Sequence, residues 1–305
     1  MRLQEVEKGG GVGTRLLIKF ISLVSEMRLP DAARIVMYYK DFYGDPMTAW
    51  THPVMRGESS WSVGDRELMA ALTAKWNACP FCIDAHSSIA SMALDRSLVQ
   101  SALDDYRRAN LSPKLKMALV FLEKLALRPE AVAVTDIRAI LDSGVGTGEI
   151  EDAMAVVTLF SITVRCANTF GFALLNGKDS EQAARRMLAQ GYAWGKSKSP
   201  AHPDHRALAE ALRRRVLEGP GATDMALRQA VANRATGGPA IGEPFDRLSV
   251  RIGEASYKVT DEQVKRLVAE VKSEKAAFEI IVSAAVGAGL YRWRRGLDVL
   301  TNAMG

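Results

Sequence analysis

Apolar residues recur at helical spacing along most of this chain, with polar residues on the opposite face of each repeat. Strict alternation of apolar and polar residues, which is typical of a half-buried strand, is hard to find. The pattern therefore predicts an all-α fold. The predicted helices are Arg15–Met27, Ala32–Tyr39, Asp65–Asn77, Cys79–Leu94, Leu98–Tyr106, Pro113–Leu127, Val134–Ser143, Gly148–Thr169, Ser180–Trp194, His205–Leu217, Thr223–Asn233, Glu243–Ser256, Thr260–Val271 and Lys275–Leu300.

Two segments near the N-terminus depart from the helical pattern. The run Gly9-Gly10-Gly11-Val12-Gly13 resembles a phosphate-binding loop only superficially, because no strand precedes it and no Lys-Ser/Thr pair follows in register. We predict a flexible lead-in there. Prolines and glycines make Leu29–Ser62 a mixed stretch, predicted to be a short helix followed by an extended loop. His52 lies in that loop and is predicted to be exposed.

The composition of the chain changes at Gly195–Pro203, where Gly, Lys, Ser and Pro predict a linker. We therefore expect a first domain over residues 1–195, which includes the N-terminal extension, and a second over residues 205–305. The segments Val134-Thr135-Asp136 and Val259-Thr260-Asp261 each open a helix and precede an Ala/Val-rich one. The C-terminal third is thus interpreted as a degenerate second copy of one helical unit, and it contains no cysteine.

Composition limits the classes of partner. The chain has 305 residues, 48% hydrophobic and 25% charged, which is ordinary for a globular protein of one or two domains. Its net charge of +5 is spread along the sequence, and the run Arg213–Arg215 is interpreted as a solvated helix face, so no nucleic-acid partner is predicted. No apolar stretch was found that reaches the ~18–20 residues of a membrane span. Leu16–Val24 is short and contains Lys19, so it is not a convincing signal peptide, and we expect a cytoplasmic protein without a membrane partner.

The segment Cys79-Pro80-Phe81-Cys82-Ile83-Asp84-Ala85-His86 is the most informative in the chain. Pro80 suits the first turn of a helix, which places Cys79 at the mouth of that helix and Cys82 in its first turn. The positive end of the helix dipole favours a thiolate there. His86 follows Cys82 by four residues, so the two side chains share one helix face. This arrangement favours a redox-active pair with a base beside it.

Two other interpretations of the cysteine pair remain open. A structural zinc site needs four ligands, and the remaining cysteine, Cys166, stands alone. His52, His202 and His205 show no paired spacing, so a zinc site would have to combine the motif with a carboxylate. The third interpretation is a pair of inert core thiols. Structural disulfides are not expected, because an even cysteine framework is absent.

A fourth residue gives the motif a family resemblance. Glu67 lies twelve positions before Cys79, and the pattern Glu67, Cys79, Cys82 and His86 resembles the alkylhydroperoxidase D family. That family belongs to the carboxymuconolactone decarboxylase-like superfamily, whose fold is an all-helical bundle. The similarity covers about residues 46–172, including the stretch from Asp152 to Arg165, and only faintly the C-terminal third.

The resemblance implies a thiol peroxidase without metal or organic cofactor. Cys82 would attack the peroxide and become a sulfenic acid, and Cys79 would condense with it to a disulfide. His86 and Glu67 match the proton-relay residues of the family. A thiol or dithiol partner, lipoyl-bearing or thioredoxin-like, would reduce the disulfide. The best-studied members have a further histidine directly before the second cysteine, where this chain has Phe81, and loss of that base implies weaker activation of Cys79.

The alternative to an enzyme is a non-enzymatic redox-sensing or interaction protein of the same fold. In either case we expect a homo-oligomer, most simply a dimer, with residues 205–305 packed on the first repeat as an internal pseudo-dimer. Cys166 is predicted to be a buried core thiol, and Arg165 an ion-pair partner or a subunit contact. Trp50, Trp61 and Trp76 are predicted to wall a pocket or pack in the core.

Overall fold

The computed structural model describes residues 1–193 and 202–305, and over these residues its regular structure is entirely helical. The prediction of an all-α fold is confirmed. The predicted linker at 195–203 lies outside the described residues except for His202 and Pro203. The α-helices are α1 (Gln4–Lys8), α2 (Val12–Ser25), α3 (Asp31–Tyr38), α4 (Asp45–Arg56), α5 (Val63–Trp76), α6 (Pro80–Ala93), α7 (Arg96–Asp105), α8 (Pro113–Leu127), α9 (Val134–Asp142), α10 (Thr147–Phe170), α11 (Gly177–Gln190), α12 (His205–Leu217), α13 (Met225–Arg234), α14 (Phe245–Ala255), α15 (Asp261–Val271) and α16 (Glu274–Met304).

The extended loop predicted within Leu29–Ser62 is wrong, because α4 occupies Asp45–Arg56 directly after a π-helical turn at Lys40–Gly44. Pro46 lies in the first turn of α4, where its missing N–H has no intrahelical acceptor to lose. Pro53 does lie inside the helix, and burial of the apolar face of α4 overrides that local cost. The same helix buries His52, which is 8% exposed, so its predicted exposure is also wrong.

The glycine-rich segment forms an ordered turn between α1 and α2. Gly9 ends α1 in the left-handed conformation, with φ 93°, and its N–H donates to the carbonyl oxygen of Val6 at 3.1 Å. A Cβ at this position would lie 2.5 Å from the side chain of Ile18. The turn itself therefore requires glycine at position 9. No phosphate-binding role is needed to explain this residue.

The chain divides into two compact units that are discontinuous in sequence. The thiol unit, named for Cys79 and Cys82, comprises Trp50–Ser161, Ala183–His205 and Gly289–Gly305. The second unit comprises Met1–Ala49, Ile162–Gln182 and Arg206–Ala288. Helices α10 and α16 therefore each begin in one unit and end in the other.

A buried arginine makes the same backbone contacts in each unit. In the thiol unit, Arg66 donates to the carbonyl oxygens of Val54 at 2.8 Å and of Gly57 at 3.0 Å. In the second unit, Arg228 donates to the carbonyl oxygens of residues 216 and 219. Each of these three positions lies 162 residues after its counterpart. The recurrence is what a degenerate repeat would leave, and the repeat itself stays a prediction.

The long helices contribute a second recurring contact. In the second unit, Arg165 of α10 donates to the carbonyl oxygen of Gly253 at 2.9 Å. In the thiol unit, Arg292 of α16 donates to the carbonyl oxygen of Ala126 at 2.8 Å. Both positions are again offset by one constant, here 127 residues. A backbone carbonyl is therefore a partner of Arg165, a role that the sequence did not suggest.

Helix α10 is the described helix that is long and apolar enough to span a membrane by length and composition, and 89% of its most apolar stretch is buried within the structure. The prediction that no apolar stretch is long enough for a membrane span is therefore wrong for α10. Such burial is typical of the central helix of a globular fold. Cys166 of α10 is fully buried, as predicted, and burial raises the pKa of its thiol to about 12.

Candidate functional site

Helices α5 and α6 form an antiparallel pair that positions the motif. Ser62 caps α5, accepting a hydrogen bond from the backbone N–H of Asp65 at 3.0 Å. The reversal after α5 uses Ala78, a non-glycine residue in the left-handed region with φ 48°. The backbone N–H of Cys79 then donates to the carbonyl oxygen of Ala74 at 3.0 Å, which closes the turn. Because α6 runs back along α5, residues far apart in sequence come together.

The two cysteines meet at the N-terminus of α6. Pro80 is the first residue of the helix, Cys79 precedes it in extended conformation, and Cys82 is in the first turn. The sulfur atoms are 2.8 Å apart, both residues are free cysteines, and each is 1% exposed. Both sulfurs lie at the N-terminus of α6, where the helix dipole has its positive end.

His86 lies one helical turn after Cys82 and contacts Glu67 of α5. The distance from His86 Nδ1 to Glu67 Oε2 is 2.8 Å, and both side chains are buried. The edge of Phe160 packs on the imidazole, with ring centroids 4.4 Å apart. If the carboxylate accepts the proton of Nδ1, the neutral imidazole keeps a basic nitrogen at Nε2.

Glu67 is a fully buried carboxylate with two basic neighbours. Burial by itself would raise the pKa of Glu67, but the hydrogen bond and charge of His86, together with Arg56, lower it below its ordinary value. An Arg56 guanidinium nitrogen lies 2.8 Å from Glu67 Oε1. Glu67 is therefore ionised at neutral pH and able to hold the proton on Nδ1 of His86.

Tyr192 completes the group, although no motif in the sequence points to it. Its hydroxyl donates to Glu67, with distances of 3.0 Å to Oε1 and 3.2 Å to Oε2, and it lies 3.4 Å from His86 Nδ1. Its ring is nearly parallel to that of His86, and Arg56 lies over its face. Burial, and then the charge of Glu67, raise the pKa of Tyr192 well above its ordinary value, so it stays a donor. No spacing rule connects Tyr192 with a motif more than a hundred residues earlier.

His52 fixes the backbone that presents Tyr192. Its Nδ1 accepts hydrogen bonds from the backbone N–H groups of Tyr192 and Ala193, both at 3.2 Å. Burial, and then the nearby charge of Arg56, lower the pKa of His52. His52 therefore acts as a neutral acceptor that holds the segment after α11.

A second polar cluster in the thiol unit lies around Asp152 of α10. Asp152 Oδ1 is 2.9 Å from His202 Nε2 and 2.8 Å from His205 Nε2. The hydroxyl of Ser59 donates to Oδ2 at 2.5 Å, and Trp50 Nε1 donates to His205 Nδ1 at 3.2 Å. The two histidines therefore do share one partner, although no metal-like spacing was recognised in their sequence.

The three tryptophans pack within the thiol unit. Trp50 is fully buried, Trp61 is 5% exposed and donates to the carbonyl oxygen of Glu149, and Trp76 packs edge-on against Tyr106. Packing in the core thus accounts for Trp50 and Trp61.

No protein-family model matches this chain, and no curated protein matches it. The structure is similar to a solved one described as an alkylhydroperoxidase AhpD core, an uncharacterized peroxidase-related protein from Ralstonia eutropha. The TM-score is 0.48 at 20% identity, over 56% of this chain and 88% of that one. An uncharacterized peroxidase-related protein from a Silicibacter species gives 0.49 at 22% identity, over 57% and 90%. At these identities and TM-scores, the function has to follow from the residues of the site.

Proposed function

We propose that this chain is a thiol-dependent hydroperoxide reductase in which Cys82 is the peroxidatic cysteine and Cys79 the resolving one. The observation that supports this most directly is the pair of adjoining sulfurs at the N-terminus of α6, one turn from a histidine bonded to a buried, ionised glutamate. A structural thiol pair has no need of that buried charge, since isolating a carboxylate from water is costly unless it is paired.

In the first step, the Cys82 thiolate attacks the terminal oxygen of a hydroperoxide. The sulfur–oxygen bond forms as the oxygen–oxygen bond breaks, giving a sulfenic acid and an alcohol once the leaving alkoxide takes a proton. In the second step, the Cys79 thiol attacks the Cys82 sulfur and expels water, which leaves a disulfide. The peroxide has then gained the two electrons that the two thiols lost.

The pair of His86 and Glu67 serves both proton transfers. Glu67 keeps the proton on Nδ1, which leaves Nε2 free to take a proton from a thiol and return one to the leaving oxygen. Tyr192 and Arg56 donate to the same carboxylate and hold it ionised. Proton transfer of this kind typically contributes about 10²–10⁴-fold to a rate.

An external thiol or dithiol must reduce the disulfide to complete the cycle. A lipoyl-bearing or thioredoxin-like protein is the class of reductant that the sequence resemblance implies. Phe81 occupies the position of the family's additional histidine. Activation of Cys79 therefore depends on the helix terminus, and we expect resolution by Cys79 to be slower than attack by Cys82.

Stopped-flow oxidation of the fully reduced protein by hydrogen peroxide and by cumene hydroperoxide tests the proposal. The expected result is rapid loss of two thiols per chain, a Cys79–Cys82 disulfide in the mass spectrum, and repeated turnover when a dithiol such as dihydrolipoamide is supplied. The Cys166→Ser variant is the matched control and should behave like the parent, because that thiol is buried elsewhere.

Two results would contradict the proposal. Oxidation at the rate of a free thiol in solution would show that the site does not activate Cys82. Rapid oxidation to the disulfide without turnover by any dithiol would favour the redox-sensing alternative instead.

A further inference from the structure

Asp152, His202 and His205 bring one carboxylate oxygen and two imidazole nitrogens to a single point in the thiol unit. Among the residues that the structure describes, they form the one group of three potential metal ligands whose ligand atoms all lie within 4.8 Å of one another. We propose that this group binds a first-row divalent transition-metal ion. The peroxidase chemistry proposed above uses none of these side chains, so the two proposals are independent.

The observed distances are close to those of a ligand shell. Asp152 Oδ1 lies 2.8 Å and 2.9 Å from the two Nε2 atoms. A tetrahedral ion with bonds of about 2.0–2.2 Å separates its ligands by about 3.3–3.6 Å. Lengthening the distances from Asp152 Oδ1 to the two Nε2 atoms by about half an ångström would therefore make room for the ion. The His202 side chain is 51% exposed. The metal ion and a water ligand can therefore reach the group from that side.

The surroundings of Asp152 fit a ligand role. The Ser59 hydroxyl holds Oδ2 of the carboxylate at 2.5 Å, which leaves Oδ1 to face the two histidines. A hydrogen bond of this type orients a carboxylate ligand in many metal sites. Two imidazoles with one carboxylate suit zinc, iron, cobalt or nickel better than magnesium or calcium, which prefer oxygen ligands throughout.

In the predicted repeat, the second unit has a carboxylate at the position that corresponds to Asp152. Glu279 lies 127 residues after Asp152, the offset that also relates Arg165 to Arg292. It accepts hydrogen bonds from the backbone N–H groups of Ala222 and Thr223. The Glu279 carboxylate therefore holds the loop before α13 without help from any histidine. The two histidines on Asp152 are an addition specific to the thiol unit.

Trp50 sets the affinity of the proposed site. Its indole N–H donates to Nδ1 of His205, so the proton of the neutral ring lies on Nε2 and points at Asp152. Binding an ion through Nε2 requires this proton to move to Nδ1, where it would oppose the indole N–H. The proposal thus predicts that removing the indole donor strengthens metal binding.

Cobalt(II) titration of the full-length Cys79→Ser/Cys82→Ser protein tests the site, because that background excludes binding by the thiol pair and the visible spectrum of the ion reports its coordination. We expect one ion per chain with a dissociation constant in the micromolar range or below. His202→Ala should weaken binding at least tenfold, and Trp50→Phe should strengthen it severalfold. Glu210→Gln, on the same helix as His205 but outside the cluster, should bind like the parent.

Binding no tighter than millimolar would overturn the proposal. So would equal affinity in the parent and in His202→Ala, which replaces a half-exposed side chain and should leave the fold intact. Weaker or unchanged binding by a folded Trp50→Phe protein would show that the tautomer argument is wrong. If the Trp50→Phe protein does not fold, the Asp152→Asn variant is tested in its place and should abolish cobalt(II) binding.

Discussion

Replacing Tyr192 with phenylalanine removes a single oxygen atom from the candidate site. The Tyr192 hydroxyl donates to the Glu67 carboxylate and lies 3.0 Å from Oε1 and 3.2 Å from Oε2. A hydrogen bond to a charged group contributes about 1.5–3 kcal/mol. Since 1.36 kcal/mol is a tenfold change in an equilibrium constant, its loss should raise the pKa of Glu67, with proton binding about tenfold to hundredfold tighter. His86 and Arg56 remain, so the carboxylate should still be ionised at neutral pH.

The effect on the rate should therefore depend on pH. Near pH 7.5, Tyr192→Phe should oxidise at a rate close to that of the parent. At pH 5, the raised pKa of Glu67 should leave a smaller fraction of the carboxylate ionised than in the parent, and the rate should fall several-fold below that of the parent. The assay is stopped-flow oxidation by cumene hydroperoxide between pH 5 and 8, with the carboxyl carbon of Glu67 followed by NMR as a direct readout.

The chain offers a matched control for this substitution. The hydroxyl of Tyr106 also donates to a glutamate, Glu123, at 2.8 Å. Tyr106→Phe should leave the acid limb of the rate profile unchanged. An unshifted limb in Tyr192→Phe, or the same shift in both variants, would refute the role assigned to Tyr192.

Further outcomes follow from the contacts described above. Cys82→Ser should abolish peroxide consumption, whereas Cys79→Ser should leave a sulfenic acid on Cys82 that a dimedone-type probe labels; undiminished labelling of Cys79 in Cys82→Ser would reverse the assignment. Glu67→Gln should slow oxidation by about 10²–10⁴-fold. Because the folded-state pKa of Glu67 is lowered, its carboxylate stabilises the fold above the unfolded-state pKa of about 4.3. This stabilisation is lost as the pH falls through the folded-state pKa. The free energy of unfolding in urea should therefore depend less on pH below pH 5 in Glu67→Gln than in the parent. Arg66→Met leaves two buried carbonyl oxygens without their donor and should lower the free energy of unfolding by about 2–6 kcal/mol, measured in urea. Truncation at Lys196 removes Gly289–Gly305 from the thiol unit and should give an aggregated species in light scattering, whereas a well-behaved monomer would contradict it.

The sequence determined the local structure around the motif. Pro80, the spacing of Cys79, Cys82 and His86, and the serine cap at Ser62 all act within one or two helical turns. Such signals are local, so helix existence and most boundaries could be predicted within about two or three residues. The one long error, at Asp45–Arg56, arose because burial of an apolar face outweighed two prolines.

The membership of the site was decided only by tertiary structure. Glu67 could be placed by its resemblance to a family motif, but Arg56, Tyr192 and His52 join it through packing alone. The same holds for Asp152, whose two histidines follow it by some fifty positions. Periodicity in a sequence reports which face of a helix is buried, but not which distant side chain fills the space beside it. A buried carboxylate requires donors wherever the fold can supply them, and the chain supplies them here from segments that only the three-dimensional arrangement brings together.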